Sequence, residues 1–341
     1  MKNFIDLEKD PAALEQALVD MGLVQRGERI HLQPLTGGVS SNIFRIDLPS
    51  GPVCLKQALP QLKVQKEWKA PVSRVLAEMD WLQTAHQVIP DNVPKIVATD
   101  RERGAFVMEY VPSKDTWKNQ LLAGNVDTSF GTKVADCIAT VHQATARSVE
   151  MQRLFANDGT FYLIRLEPYL VETARVHPDL ARQLIALVAV TQSTPLALVH
   201  GDVSPKNILL GKGGPVLLDA ECAWYGDPAF DLAFLLNHVL LKSAHLPKHG
   251  DAFASLFDVM SQAYLRRVDW EEWGTFDRRC ARLLPGLLLA RVDGKSPVEY
   301  LDEATRAEVR RAARQLVLDP PANLAELHQR WRGRTASGAA A

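Results

Sequence analysis

The sequence predicts an α+β protein of two lobes, in which an antiparallel-sheet lobe precedes a mostly helical lobe. Before residue 111, apolar and polar residues alternate over several short runs, which is typical of antiparallel strands. After Pro112 the apolar residues recur every three or four positions, which is typical of helices. We therefore expect lobes at 1–111 and 112–331, followed by a disordered tail at 332–341.

The first lobe contains four predicted strands and one helix. The turn-forming run Pro49-Ser50-Gly51-Pro52 joins the first two strands into a hairpin. A helix begins near Pro71, since proline suits a first helical position and apolar residues follow at helical spacing. In chain order, the strands are "SNIFRIDL", "VCLKQ", "KIVATD" and "AFVMEYV".

One stretch interrupts the helical lobe with short strands and polar residues. It runs from Leu198 to Glu221 and contains the strand-like segments "LALVH", "NILL" and "PVLLD". The glycine-rich run between the last two segments predicts a hairpin. If Leu210 faces Val216 in this hairpin, then Asn207 faces Asp219, and the two side chains are close enough to share a hard cation such as Mg²⁺.

Composition excludes several classes of function. The chain has 341 residues, with 39 basic and 40 acidic side chains and a formal net charge of -1. No long basic run is present to neutralise a nucleic-acid backbone, so we expect no nucleic-acid partner. No segment supplies eighteen uncharged apolar residues and the first twenty residues are partly acidic, so we expect no membrane partner and a cytoplasmic location. The four cysteines are far apart and show no zinc-site spacing.

The spacing from His200 through Asp202 to Asn207 is the His-x-Asp-x-x-x-x-Asn spacing of a kinase catalytic loop. With glycine between the His and the Asp, it resembles the aminoglycoside phosphotransferase and choline kinase superfamily, and the resemblance spans about residues 30 to 240. It implies a bilobal protein-kinase-like fold and an ATP- and Mg²⁺-dependent kinase of a small hydroxyl compound. Asp202 then corresponds to the catalytic base, Asn207 and Asp219 to metal ligands, and Glu221 to a second metal-side carboxylate.

The same resemblance assigns nucleotide contacts to the first lobe. Lys56, on the second strand, matches the lysine that meets the nucleotide phosphates, although an ordinary strand lysine is the alternative. Glu78 is the predicted ion-pair partner of Lys56. Glu67 competes for that role, and Glu78 could instead form an i, i+4 pair with Arg74. The phosphate-covering loop is expected at Gly37, Gly38, Ser40 and Ser41, and the adenine-binding backbone at Glu109 and Val111.

Two further residues of the second lobe receive structural roles. Asp231 lies in the apolar stretch "DPAFDLAFLLNHVLL", where a buried carboxylate needs hydrogen-bond donors. In kinases the matching residue braces the backbone of the catalytic loop. We expect Asp231 to act in this way, and His200 to be a core histidine that fixes the loop.

The acceptor is predicted to be a neutral or anionic sugar or polyol. From residue 112 onward, 26 basic residues balance 26 acidic ones, whereas a site for a polycation should carry a surplus of carboxylates. The stretches "LKQALPQLKVQKEW" and "DAECAWYGDPAFDLAFLLNHVLL" look closer to methylthioribose kinases than to antibiotic kinases. A polar segment with Arg291, Asp293 and Lys295 could contact the acceptor, and an ordinary connecting loop is the alternative.

Three other functions remain open at this point. An aminoglycoside kinase is one, and a choline-type kinase is the second, for which aromatic faces at Tyr162, Tyr169, Trp270 and Trp273 could bind a quaternary ammonium. The third is a catalytically silent nucleotide-binding module. The presence of the lysine, the base and both metal ligands favours an enzyme.

Overall fold

The alternating pattern of the first lobe forms a five-stranded antiparallel sheet in a computed structural model that describes residues 4–35, 41–59, 74–112 and 115–333. The strands lie in the order β1-β2-β3-β5-β4, so β3 is central. Their bounds are β1 His31–Pro34, β2 Ser41–Leu48, β3 Gly51–Ala58, β4 Ile96–Asp100 and β5 Ala105–Glu109. The four predicted strands are confirmed.

Helices cover both faces of this sheet. The first helix, α1, spans Pro11–Asp20 and was not predicted; its apolar side covers one face together with the buried side chains of Leu7, Phe44 and Leu55. The second helix, α2, spans Arg74–Val88 and belongs to the larger core that continues into the second lobe. The predicted start of α2 at Pro71 lies outside the described residues.

The second lobe is mostly helical, as predicted, and contains two small antiparallel sheets. One pairs β6 with β9 and the other pairs β7 with β8. Strand β9 was not predicted. The strands are β6 Ala197–Val199, β7 Ile208–Leu210, β8 Pro215–Leu217 and β9 Trp224–Gly226.

Eleven labelled helices follow the sheet within the described part of the chain. They are α3 Trp117–Leu122, α4 Thr128–Thr145, α5 Val149–Leu154, α6 Asp158–Phe161, α7 Glu172–Val176, α8 Ala181–Gln192, α9 Ala229–His245, α10 Gly250–Leu265, α11 Trp273–Asp293, α12 Glu303–Leu318 and α13 Leu324–Arg332. Between α6 and α7 the backbone forms a wider π-helical turn over Tyr162–Val171. Helix α9 is buried from Ala229 to Ala244, because it packs between α10 and α11.

Three remaining observations concern the edges of the fold. Arg332 still belongs to α13, so the regular structure extends one residue into the predicted tail, whereas residues 334–341 lie outside the described residues. The four cysteines are free and buried. Among the described helices, none combines the length and apolar character that crossing a bilayer requires.

Candidate active site

The loop after β6 is held by a buried carboxylate at the start of α9. The backbone N–H groups of His200 and Gly201 donate to the two carboxylate oxygens of Asp231 at 2.7 and 2.8 Å. The Nε2 atom of His142 lies 3.1 Å from the same carboxylate. Asp231 is fully buried, and these donors satisfy its oxygens. The expected bracing role of Asp231 is confirmed.

Gly201 and His200 fix the shape of this loop. Gly201 has φ +78°, and a Cβ at this position would lie 2.7 Å from the carbonyl oxygen of Cys222. The Nδ1 atom of His200 accepts the N–H of Asp202 at 3.2 Å, so its Nε2 atom donates to the carbonyl of Leu218, also at 3.2 Å. Burial lowers the pKa of His200 and keeps the ring neutral. His200 therefore positions the loop, as predicted.

The carboxylate of Asp202 lies between two cations. Its Oδ2 atom is 2.9 Å from the guanidinium of Arg165 and 3.4 Å from the ammonium of Lys206. Burial alone would raise the pKa of Asp202, but the charges of Arg165 and Lys206 outweigh burial and lower it. Asp202 is therefore ionised at neutral pH and able to accept a hydrogen bond from a hydroxyl group.

Sequence reasoning did not single out Arg165. Its Nε atom donates to the carbonyl of Gly201 at 2.5 Å and its Nη1 atom to the carbonyl of Ile164 at 2.7 Å, besides the contact with Asp202. The residue lies in the π-helical segment, a type of distortion that is frequent at functional sites. The available signal was a lone arginine among apolar residues, because a buried guanidinium requires an anionic partner.

Asn207 is fixed by Asp202, but not in the predicted register. Its Nδ2 atom donates to the carbonyl of Asp202 at 3.1 Å and to the carboxylate at 3.0 Å. The hairpin pairs Leu209 with Val216, so the predicted pairing of Leu210 with Val216 is wrong by one residue. The prediction that Asn207 faces Asp219 in this ladder is therefore also wrong. The carbonyl of Asn207 instead accepts the N–H of Leu218 at 2.9 Å.

A left-handed backbone conformation follows the hairpin at Asp219. The residue has φ +67°, a conformation that aspartate tolerates better than most residues. Its Oδ1 atom lies 2.6 Å from the Nζ atom of Lys56. Lys56 outweighs the effect of burial and lowers the pKa of Asp219. The turn therefore brings a carboxylate of the second lobe, ionised at neutral pH, to the first lobe.

Lys56 forms a bridge between two carboxylates. Its Nζ atom is 2.8 Å from Oε1 of Glu78 on α2, in addition to its contact with Asp219. Burial opposes the charge on Lys56, but the two carboxylates and Glu221 raise its pKa. Burial raises the pKa of Glu78 although Lys56 opposes this effect. The structure thus forms the predicted Lys56–Glu78 pair. Glu67 lies outside the described residues, and the central position of β3 rules out an edge-strand lysine.

Glu221 also contacts the first lobe. Its Oε2 atom lies 2.9 Å from Nε of Arg74, whose side chain is fully buried. Arg74 therefore binds this carboxylate across the lobes, in addition to the carbonyl of Leu59 at 2.8 Å. The metal role of Glu221 stays a prediction, and the observed contact gives this residue a second task in joining the lobes.

The remaining nucleotide residues can be located only in part. Gly37, Gly38 and Ser40 lie outside the described residues. Ser41 begins β2, and its buried Oγ atom has no hydrogen-bond partner among the described residues. The backbone N–H of Glu109 donates to the carbonyl of Lys95 at 2.9 Å, so an adenine contact at Glu109 would use its carbonyl group. Val111 follows the sheet in an irregular segment.

The donor set of Asn207 and Asp219 suits a magnesium ion. The amide nitrogen of Asn207 is held by Asp202, which leaves its oxygen for a cation. One oxygen of Asp219 contacts Lys56, and the side chain is 24% exposed, which leaves the second oxygen accessible. Mg²⁺ is commonly bound by one or two protein oxygens together with nucleotide phosphates and water. The described residues contain no cluster of three or more His, Cys, Asp or Glu side chains that would hold a metal by itself.

Comparison with known proteins agrees with this geometry. Residues 31–284 match the model of APH, the phosphotransferase enzyme family. The chain belongs to this family. A methylthioribose kinase of Enterobacter sp. (strain 638) is 25% identical over 296 residues, covering 78% of this chain and 73% of the relative. A second, from Yersinia pseudotuberculosis serotype O:3 (strain YPIII), is 26% identical over 57% of this chain and 54% of the relative.

Solved structures show the same fold. An ethanolamine kinase of Plasmodium vivax superposes with a TM-score of 0.56 at 11% identity, covering 98% of this chain and 89% of the other. An amicoumacin kinase in complex with AMP-PNP, Ca²⁺ and Ami superposes with a TM-score of 0.55 at 16% identity, covering 94% and 96%. The predicted family and the bilobal kinase-like α+β fold are confirmed, and the chain is a small-molecule kinase of the APH family.

In the predicted polar segment of this APH-family kinase, two residues form ion pairs and the third turns inward. Asp293 binds His177 at 2.8 Å and Arg310 at 2.7 Å, and Lys295 binds Glu167 at 2.8 Å. The Asp293–Arg310 pair joins α11 to α12, and Lys295 connects the loop after α11 to the π-helical segment. Arg291 instead turns inward, where its guanidinium carbon lies 5.8 Å from the centre of the Tyr169 ring.

The aromatic residues considered for a quaternary ammonium do not form one cage. Trp270 is buried beside His142 and Phe276, whereas Trp273 is 59% exposed at the start of α11. The ring of Tyr169 already lies near two guanidinium groups, Arg291 and Arg165, each 5.8 Å from its centre. A further cation at Tyr169 would be repelled by both charges.

Proposed function

We propose that this APH-family protein transfers the γ-phosphoryl group of ATP to a hydroxyl group of a small molecule, with Mg²⁺ as the metal. One observation carries the proposal. Lys56 of the central strand bridges Glu78 and Asp219, while Asp202 and Asn207 are joined in the adjacent loop. This is the set of side chains that phosphoryl transfer by a kinase requires.

Each residue has a role that follows from its position. Lys56 would contact the phosphates of the nucleotide, and Glu78 holds its ammonium in place. Asp202 would accept a hydrogen bond from the acceptor hydroxyl, aim its oxygen at the phosphorus and take up its proton. Its low pKa makes it a weak base. Positioning is therefore the larger part of its contribution, which suits a loose transition state.

Asn207 and Asp219 would hold the metal. Mg²⁺ bound there would supply positive charge that stabilises the negative charge developing on the transferred phosphoryl group. Glu221 is proposed as an assisting carboxylate, with Arg74 as its partner in the first lobe. Gly37, Gly38, Ser40 and Ser41 are proposed to cover the phosphates, and the backbone of Glu109 and Val111 to contact adenine.

For the acceptor we propose a neutral or anionic sugar or polyol that resembles methylthioribose. The similarity to methylthioribose kinases and the balanced charge of residues 112–341 support this choice. An aminoglycoside would lack the surplus of carboxylates it needs, and a choline-type substrate would meet the cations around Tyr169. A silent nucleotide-binding module would have no use for the fixed Asp202–Asn207 pair.

We also propose 1–111 and 112–331 as the two functional lobes, because the sheet ends at Glu109 and helices follow from Trp117. The cytoplasm is the proposed location, since this is where such a kinase meets ATP. The proposed partner is a small molecule, and neither a nucleic acid nor a membrane is required.

The test is an ADP-release assay with Asp202→Asn, using sugars, polyols, amino alcohols and aminoglycosides as acceptors. The substitution is nearly isosteric, so binding of ATP and Mg²⁺ should persist while kcat falls by roughly 10²–10⁴-fold. Asp251→Asn, which changes a carboxylate that is 97% exposed on α10, is the matched control and should keep full activity. Full turnover by Asp202→Asn would show that Asp202 is not the base. ATP binding without phosphorylation of any acceptor would favour the silent module.

A further inference from the structure

Helix α9 carries polar side chains in a buried environment. Asn237, His238 and Lys242 are each at most 4% exposed, and apart from Asp231 and Ser243 the other buried residues of α9 are apolar. The ammonium group of Lys242 forms no hydrogen bond or ion pair with any residue that the structure describes. Its ammonium nitrogen lies 5.2 Å from the centre of the Tyr300 ring. An uncompensated buried ammonium is costly, and a single cation–π contact offsets only a small part of that cost.

The groups around Lys242 do not supply the missing negative charge. Burial, and then the positive charges of Lys118 and Arg291, lower the pKa of Lys242 to about 7, and only Glu299 acts in the opposite direction. Glu299 is already paired with Lys118. An external anion bound beside Lys242 would therefore offset the repulsion that its ammonium experiences from Lys118 and Arg291.

Several neighbouring polar atoms also lack partners. Buried atoms without a hydrogen bond among the described residues include Nε2 of His238, Nε of Arg291 and Oη of Tyr300. Such atoms are rare in folded proteins, and three residues around Lys242 with unsatisfied groups point to a missing polar ligand. All three can donate hydrogen bonds to an anion.

This group is connected to the proposed catalytic loop. The guanidinium carbon of Arg165, which contacts Asp202, lies 5.9 Å from the centre of the Phe234 ring. The Phe234 ring centre lies 5.2 Å from that of His238. Lys242 follows His238 by one helical turn, about 6 Å along α9. A chain of contacts therefore runs from Asp202 through Arg165 and Phe234 to His238 on α9.

We propose that His238, Lys242, Arg291 and Tyr300, the α9 anion site, bind the anionic group of the phosphate acceptor, a carboxylate or a phosphate ester, while its hydroxyl group lies at Asp202. The proposal deepens the proposed function and rests on it for the role of Asp202. It narrows the acceptor to a hydroxylated organic anion, and it excludes polyamines and quaternary ammonium alcohols, because these would place a cation beside Lys242 and Arg291.

The test compares matched compounds that differ only in charge. Binding of gluconate, glucose 6-phosphate, glucitol and glucose is measured by calorimetry in the presence of ADP and Mg²⁺, and the same compounds are tested for ADP release from ATP. We expect at least one anion to bind more tightly than its neutral counterpart. Gluconate and glucose 6-phosphate separate a carboxylate from a phosphate as the preferred group.

Lys242→Met provides the decisive variant, with Lys248→Met as its exposed control just after the same helix. Methionine keeps the length of the side chain and removes a buried charge, so the fold should be retained. The Kd of the preferred anion should rise by roughly 10- to 100-fold in Lys242→Met, as expected for one charge-assisted contact. It should stay unchanged in Lys248→Met, and nucleotide binding should stay unchanged in both variants.

Equal binding of charged and neutral compounds, no binding of either anion, or unchanged anion binding in Lys242→Met would each overturn the proposal. Its failure differs from failure of the kinase function. Phosphorylation of a neutral acceptor without any dependence on Lys242 would refute only the anion site. Anion binding that depends on Lys242, with no ADP formed from ATP, would refute only the catalytic proposal.

Discussion

At the scale of single residues, Arg165 controls the charge of the carboxylate that is proposed to meet the acceptor. It contacts Asp202 at 2.9 Å and also binds the carbonyl groups of Gly201 and Ile164. The folded-state pKa of Asp202 is lowered, so its ionised form persists as the pH falls below neutrality. We therefore expect the acidic limb of the kcat/KM profile to lie well below pH 7.

Replacing Arg165 should shift the acidic limb of the kcat/KM profile. Arg165→Met removes the cation, so Asp202 binds a proton at a higher pH and the acidic limb should rise by about 1–3 pH units. Arg165→Lys keeps the charge but loses the fork of hydrogen bonds, so it should lower kcat and leave the limb in place. The pH dependence of ADP release is the measurement. An unmoved limb in a folded Arg165→Met variant would contradict the role assigned to Arg165.

Lys242 gives a second prediction at this scale, which concerns stability. Its folded-state pKa is about 7, below the value of about 10.4 for an unperturbed lysine. Between these two values the unfolded chain binds more protons than the folded chain, so the free energy of unfolding rises with pH in this window. Above the unfolded-state pKa, Lys242 is neutral in both states and does not affect the free energy of unfolding. Below the folded-state pKa, it is charged in both states, and its buried charge destabilises the folded protein by the full amount.

Lys242→Met should therefore stabilise the protein most near and below pH 7. The difference in Tm between variant and parent should shrink as the pH rises from 7 to 10. The groups that face Lys242 are Lys118 on α3, His238 on α9, Arg291 on α11, and Glu299 and Tyr300 in the following loop. These groups are the same in the variant and the parent, so the pH dependence of the difference in Tm reports the titration of Lys242. A difference in Tm that does not depend on pH would contradict the lowered pKa.

At the scale of elements, the loop between β6 and the turn at Pro205–Asn207 is shaped by contacts from distant segments. Asp231 on α9 accepts hydrogen bonds from the backbone of this loop. The carbonyl oxygen of Cys222 lies too close to position 201 for a side chain there. Because α9 is buried along its length, the helix that carries Asp231 supports the loop rigidly. The loop can therefore hold Asp202 within a narrow range of positions, as phosphoryl transfer requires.

Gly201→Ala tests this support. The new Cβ would meet the carbonyl oxygen of Cys222 at 2.7 Å, and the left-handed conformation costs a non-glycine residue about 1–2 kcal/mol. We expect a lower Tm and a large loss of kcat, because Asp202 is displaced. Gly213→Ala, in the nearby hairpin turn, is the matched control, since its Cβ would meet no atom within 4 Å. Equal kinetics for the two variants would show that the loop adapts without cost.

The sequence predicted the strands and the spacing of the loop because local periodicity and a short motif encode them. It failed at the β7–β8 hairpin, where a one-residue difference in register depends on how the glycine-rich turn closes. Arg165 and Lys242 were missed for another reason. Each is a single charge in an apolar stretch, and only the tertiary structure reveals whether an anionic partner is present.

At the scale of the whole molecule, two ion pairs between residues that the structure describes connect the lobes. Lys56 of β3 contacts Asp219, and Arg74 of α2 contacts Glu221, so the segment after β8 is attached twice to the first lobe. The prediction of Lys56–Glu78 from the sequence was possible because the helix after a kinase-like lysine strand supplies this glutamate. The Arg74–Glu221 pair could not be predicted, because nothing in the local sequence links positions 147 residues apart.

The two carboxylates after β8 should therefore respond differently to substitution. Asp219→Ala removes a proposed metal ligand and a partner of Lys56, so Mg²⁺-dependent turnover should be lost almost completely. Glu221→Ala leaves the buried guanidinium of Arg74 without this partner, so it should lower Tm and raise the KM for ATP while turnover still saturates with Mg²⁺. Glu221→Gln, which can still accept a hydrogen bond from Arg74, should recover most of the lost stability.

Titrating ADP release with Mg²⁺ and measuring Tm for all three variants separates the two roles. A stronger loss of Mg²⁺-dependent turnover in Glu221→Ala than in Asp219→Ala would mean that Glu221 is the principal metal ligand and that joining the lobes is its lesser task.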